Sequence, residues 1–239
     1  MSLPDINALL DASASFDLLL TLLTYQLGLW LYTRSGGHPL LLPVWVGLVL
    51  VILALSLLGR SYSAYAANSA LLMSLLGPVI VALAVPLYEH SRPMRQQSLR
   101  IVAICGATSV VTAGAVWLLV AQLAGGDPTL AGSLLPKAAT TAIAIEIAAS
   151  LGGIPALAAI TVMLTGIVGG ILGPGLLRRV GVTDDAAVGL ALGVSAHAVG
   201  TARAFEISPR CGAWAALGMS LTGVLLALTL PLLGPLTAH

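Results

Sequence analysis

Long apolar stretches separated by very short polar breaks constrain this chain more than any other feature. They run over about 16–33, 40–59, 65–89, 99–124, 130–150, 154–177, 186–206 and 211–236. The breaks are strings such as Arg-Ser-Gly-Gly-His-Pro (34–39) and Gly-Gly-Asp-Pro (125–128). A bilayer core is crossed by about 20 apolar residues of helix. Of 239 residues, 58% are apolar and 8% charged, at a mean hydropathy of +1.03. A soluble domain carries roughly 25% charged residues, so the surplus apolar surface must face lipid. Backbone polar groups in lipid must be satisfied internally, which selects helices. The alternating ten-residue strands of a membrane barrel are absent. The expected fold is all-α: a polytopic transmembrane helix bundle of six to eight spans, with broken or re-entrant helices and an internal repeat, forming one domain over 1–239 with a tail at 1–15.

A net charge of +1 gives no reason to expect nucleic acid as a partner. Cys105 lies in an apolar segment and Cys211 in a short loop, which is no disulfide framework. The acidic N-terminus (Asp5, Asp11, Asp17) has no basic n-region, so the sequence reads without a cleaved signal peptide.

Three segments are not clean spans. Segment 65–89 carries Asn68, Pro78 and Pro86. Segment 130–150 carries Pro136, Lys137, Thr140, Thr141 and Glu146. Segment 186–206 carries Ser195, His197, Gly200, Thr201, Arg203 and Glu206. Pro78, Pro86, Pro136 and Gly200 are the expected helix breaks. Broken helices are tolerated at membrane depth only where packed in protein or lining a wet cavity. Basic loops favour the cytoplasm. Placing Arg92, Arg95 and Arg100 on one side with Arg178 and Arg179 requires an even number of crossings between them. Segments 99–124, 130–150 and 154–177 satisfy this if 130–150 enters and leaves on the same face.

An internal repeat is visible. Leu164-Thr165-Gly166 of segment 154–177 matches Leu221-Thr222-Gly223 of 211–234, and Ala144–Ile147 (AIEI) matches Ala204–Ile207 (AFEI). Such duplications mark transporters whose site lies at the repeat interface.

Three constellations could carry chemistry. One, over 75–90 after Tyr62, Tyr65 and Asn68, has prolines that free backbone groups to face a cavity and an interfacial end at Tyr88, Glu89 and His90. The other two carry charged side chains. Lys137 and Thr141 are i, i+4 on a helix, with Thr140 beside them, and can present a cation and hydroxyls to one spot. A lysine in hydrocarbon costs at least about 2.5–3.5 kcal/mol, so it calls for a partner or water; the alternative is snorkelling from a helix end. In the last, His197 and Thr201 are i, i+4, and Arg203 and Glu206 are i, i+3. The latter two read equally as a structural ion pair or as ligand contacts. His197 reads equally as a proton-handling group or a hydrogen-bonded packing residue. Phosphate loops, zinc-protease spacings and nucleophile elbows do not occur. No catalytic residue, metal or cofactor is expected.

The strings LLGPVIVALAVPLYE (75–89), LPKAATTAIAIEIAASLGG (135–153), LALGVSAHAVGTARAFEIS (190–208) and GAWAALGMSLTGVLLALTLPLL (212–233) resemble the LrgB/CidB family. The resemblance covers about 62–233. It departs mildly at Ala138-Ala139, where the family string has a hydroxyl and a β-branched residue. The resemblance implies a multi-pass protein of the bacterial cytoplasmic membrane. Its role is either carriage of small monocarboxylates of the glycolate, glycerate and pyruvate class, with proton coupling open, or antiholin-like control of murein hydrolases beside a small holin-like (LrgA/CidA-type) partner. A homo-oligomer fits either. As a carrier, the chain would hold a small organic anion at Lys137, Thr140, Thr141, Glu146, His197, Thr201 and Arg203.

Overall fold

The structure, a computed structural model, describes residues 12–82, 84–89 and 91–233. The acidic stretch through Asp11, and His90, lie outside the described residues. No strand occurs among the described residues. The chain divides into two compact units, residues 1–84 and 85–239.

The first unit holds α1 (Ala12–Arg34), α2 (Pro43–Leu57), α3 (Tyr62–Asn68) and α4 (Ala70–Ala82). Helices α1 and α2 pack so closely that a Cβ on Gly28 would stand 2.9 Å from the Pro43 carbonyl oxygen. Helix α4 continues through Pro78, so that proline is not a break. Asp17 is fully buried. It pairs with Arg60 at 3.0 Å and accepts from Asn68 Nδ2 at 2.7 Å. The Arg60 guanidinium also lies over the Phe16 ring, 5.2 Å from its centroid. A buried charge requires a partner of this kind.

The second unit follows from α5 (Ala84–Glu89), in whose first turn Pro86 lies, and α6 (Ser91–Gln96). Its frame is α7 (Ser98–Leu123), α10 (Pro155–Arg179) and α12 (Pro209–Thr229), which ends in a 3-10 turn. These three, like α1, are long and apolar enough to cross a bilayer.

Between α7 and α10 the chain makes a short helix α8 (Pro128–Leu134), a 3-10 turn over Leu135–Ala138, and α9 (Thr141–Ser150). Gly125 and Gly126 at positive φ turn the chain after α7. Asp127 then caps α8 by accepting from the amides of Thr129 and Leu130. The 3-10 turn carries Pro136, which cannot donate a helical hydrogen bond. At ten residues α9 is about 15 Å long, half a bilayer. Both ends of the segment meet. The Ile154 amide donates to Ser133 Oγ at 2.7 Å, and a Cβ on Gly153 would lie 2.5 Å from the Gly132 main chain. Segment 128–153 therefore enters and returns on one side, as the arginine count requires.

Helix α11 (Asp185–Ile207) is long and apolar enough to cross as well, but it is not one rod. At His197 the backbone takes φ 46, ψ −126, and the chain folds back. Ser208 Oγ donates to Asp185 Oδ2 at 2.6 Å, and Arg210 pairs with Asp184 at 3.4 Å, joining the two ends of the segment. The helix contacts agree. Cβ atoms on Gly189 and Gly193 would stand 2.1 and 2.0 Å from the carbonyl oxygens of Cys211 and Ala215. The first arm of α11 thus runs parallel to α12, although only Ser208 separates the two helices. A straight α11 would be forced to run antiparallel. The sequence reading of 186–206 as a broken span is refined: it is a second re-entrant hairpin.

The core is layered to match. One buried cluster joins the end of α7 (Val116, Val120), the first hairpin (Leu135, Ile147, Ala148) and the end of α12 (Leu226, Leu230). A second joins the start of α7 (Ile101, Cys105), the second hairpin (Leu190, Val194) and the start of α12 (Trp214), and a third joins the second hairpin (Leu192, Ala204) to the start of α12 (Cys211). The hairpins fill opposite ends of one three-helix frame.

Candidate site where two hairpin tips meet

Each hairpin carries a basic residue at its bend, Lys137 in the first and His197 in the second. The tips touch: the 3-10 turn that carries Lys137 packs against α11, with the His197 ring beside the Lys137 main chain. Depth is fixed by α10, where Gly169 faces Ala196 and Gly166 faces Ala196 and Val199. Those glycines sit at the middle of α10, so the contact lies near mid-membrane.

Three unsatisfied groups converge there. Lys137, half-buried, pairs with no carboxylate among the described residues. His197 is only 3% exposed, and its Nε2 is buried with no hydrogen-bond partner. Thr140 begins α9 without a side-chain cap, and its carbonyl takes the Ala144 amide at 2.8 Å. The preceding amides, Thr141 to Ile143, have no intrahelical acceptor. Lipid supplies none either, and the helix dipole makes this end positive. The three groups present a cation, an imidazole nitrogen and backbone donors to one small volume.

Other residues of the expected site fall at different heights. Thr201 is buried, with the Met219 sulfur at 3.8 Å as its only side-chain partner among the described residues, and Thr141 is exposed at the start of α9. Glu146 lies exposed on α9, about 7.5 Å along the axis from Thr141 at 1.5 Å per residue. Arg203 and Glu206 form an ion pair toward the base of the second hairpin. That pairing sets Arg203 against a carboxylate one turn away. Pro136 is buried in the 3-10 turn, next to Lys137. Gly200 lets the returning arm pass close to the first: a Cβ there would meet the Leu192 carbonyl oxygen at 2.3 Å.

A recess of about 680 Å³ opens in this unit between α7, α12 and Leu135 at the start of the 3-10 turn, lined also by Gly106, Val110, Trp117, Leu225 and Thr229. Its walls are mostly apolar, with the hydroxyls of Ser109 and Thr229 already donating to helix carbonyls, and include neither Lys137 nor His197, so it holds no charged group to fix a charged ligand. The tips are the candidate site because of their chemistry, not their volume.

Paired re-entrant hairpins within spanning helices define a polytopic α-helical membrane protein. More particularly, the chain belongs to the LrgB-like family, which matches residues 21–236. It is 36% identical over 210 residues to the uncharacterized protein YxaC of Bacillus subtilis, covering 87% of this chain and 90% of that one. An uncharacterized protein of Haemophilus influenzae is 34% identical over 210 residues, 85% of this chain and 89% of its own. The antiholin-like protein LrgB of Bacillus mycoides is 31% identical over 220 residues, 92% of this chain and 95% of that one. No solved structure matches the chain.

Proposed function

We propose that the protein carries a small monocarboxylate across the bacterial cytoplasmic membrane, through the point where the hairpin tips meet. The observation that carries this reading is the convergence at membrane depth of the Lys137 cation, the unpartnered His197 Nε2 and the uncapped start of α9. One carboxylate, with two oxygens and about four acceptor positions, can answer several donors at once. Charge-assisted hydrogen bonds of this kind are the strong ones. The Lys137 charge sets the sign of the ligand, and the closely packed tips set its size. The arginines at 92, 95, 100, 178 and 179 favour a cytoplasmic base for the second hairpin.

The Bacillus mycoides relative, an antiholin-like protein, favours a second reading, a regulator of lysis acting through a small holin-like membrane protein. Such a role needs an outward-facing surface and leaves an internal polar site without a use.

Uptake separates the two. Purified protein in liposomes is expected to show saturable uptake of labelled glycolate, glycerate or pyruvate under an inward gradient. If none of the three enters under a pH gradient of either sign, the carrier reading fails and the partner-dependent reading takes its place.

A further inference from the structure

The two hairpins are copies of one another, and the copy is registered on their bends. With Lys137 set on His197, the strings KAATTAIAIEI (137–147) and HAVGTARAFEI (197–207) are identical at Ala138/Ala198, Thr141/Thr201, Ala142/Ala202, Ala144/Ala204, Glu146/Glu206 and Ile147/Ile207. The helices that follow, α10 and α12, each begin at a proline and share the Leu-Thr-Gly string. The structure uses these glycines in equivalent ways. A Cβ on Gly166 would press on Val199 of the second hairpin at 3.1 Å. One on Gly223 would press on Ile143 of the first at 2.9 Å. Each repeat's spanning helix therefore receives the other repeat's hairpin just beyond its bend.

A single crossing, α10, separates the two hairpins, and they fill opposite ends of the frame. We propose that residues 128–233 are two inverted-topology repeats and that the hairpins are two gates, one for each side of the membrane. This rests on the carrier reading for its purpose, not for its geometry. Inverted repeats can exchange conformations, which turns an opening on one face into an opening on the other. The structure shows the repeats in unlike states. At the first tip Thr141 is exposed and Lys137 half-buried; at the second, Thr201 is 4% and His197 3% exposed. The contrast is not uniform, since Ala138 is buried and its counterpart Ala198 is exposed, so the two hairpins differ in which positions they cover. In the opposite state Thr201 opens and Thr141 is covered.

Two labelling experiments test this, in a full-length background with Cys105→Ala and Cys211→Ala. The first uses a membrane-impermeant maleimide on right-side-out and inside-out vesicles. Gly181→Cys and Arg210→Cys are expected to label from one face, and Gly126→Cys from the other. If Gly181→Cys and Arg210→Cys label from opposite faces, α11 crosses the membrane and the inverted repeat is overturned, whatever the protein carries. The second follows Thr141→Cys and Thr201→Cys while glycolate is supplied on one face and then the other. Their labelling rates are expected to move in opposite directions by about tenfold, since a minor state of 0.1–10% becomes the major one. Rates that rise and fall together overturn the gates. If the vesicles show no glycolate uptake at all, the carrier reading fails while the first experiment still decides the topology.

Discussion

Replacing Lys137 with alanine is expected to reduce carboxylate uptake by about 10- to 150-fold, the equivalent of about 1.5–3 kcal/mol for one hydrogen bond to a charged group. The same substitution is expected to raise the unfolding temperature in detergent. The reasoning is one of sign. Lys137 is half-buried near mid-membrane and pairs with no carboxylate among the described residues. A lysine there costs at least about 2.5–3.5 kcal/mol, and alanine relieves that cost. A lysine kept for packing would show the reverse, since removing its stem would open a void. Uptake measured beside a thermal melt reads both quantities on one preparation. An unstable mutant with normal uptake would assign Lys137 to the scaffold.

The second large effect concerns His197, whose backbone and side chain make separate demands. At φ 46, ψ −126 it occupies a region that suits glycine, at a cost of about 1–3 kcal/mol for any other residue. His197→Ala keeps that strain and loses the ring. His197→Gly loses both. Uptake is therefore expected to fall in both variants, while His197→Gly melts higher than His197→Ala by a margin equivalent to about 1–2 kcal/mol. A histidine held only to form the bend would leave His197→Gly active. Strain retained on a bulky residue at a bend is a mark of function, and here the bend also carries a buried nitrogen without a partner.

Much of this arrangement is legible in the chain. Low charge and long apolar runs fix the membrane class. Polar residues at membrane depth single out segments 130–150 and 186–206, and the arginine parity asks the first to return to its own side. The fold-back at His197 is not legible, because Ala196-His197-Ala198-Val199 reads as uninterrupted helix. The nearest sequence signal, Gly200, marks the close passage of the two arms, not the bend. Prolines mislead in the other direction: Pro78 lies inside a continuous α4. The pairing of Asp17 with Arg60 and Asn68 is hidden as well. Asp17 reads as part of an acidic N-terminus, yet it is fully buried, and its partners lie two helices later. The repeat shows at the Glu-Ile pairs and the Leu-Thr-Gly strings. The register of the Glu-Ile pairs, extended upstream, also sets Lys137 on His197, and the meeting of the tips brings the two together in space.

The central claim is that the two bends touch, and cross-linking tests it most directly. With Cys105→Ala, Cys211→Ala, Lys137→Cys and His197→Cys in one chain, and a protease site inserted after Gly181, a short bifunctional thiol reagent is expected to hold the two fragments together after cleavage. The pair Ser133→Cys and Ile154→Cys, adjacent through the hydrogen bond at the base of the first hairpin, monitors whether that hairpin has formed: its link resists a protease cut placed after Ser150. Fragments that separate in the first pair while the base pair stays joined would contradict the meeting of the tips, and with it the site.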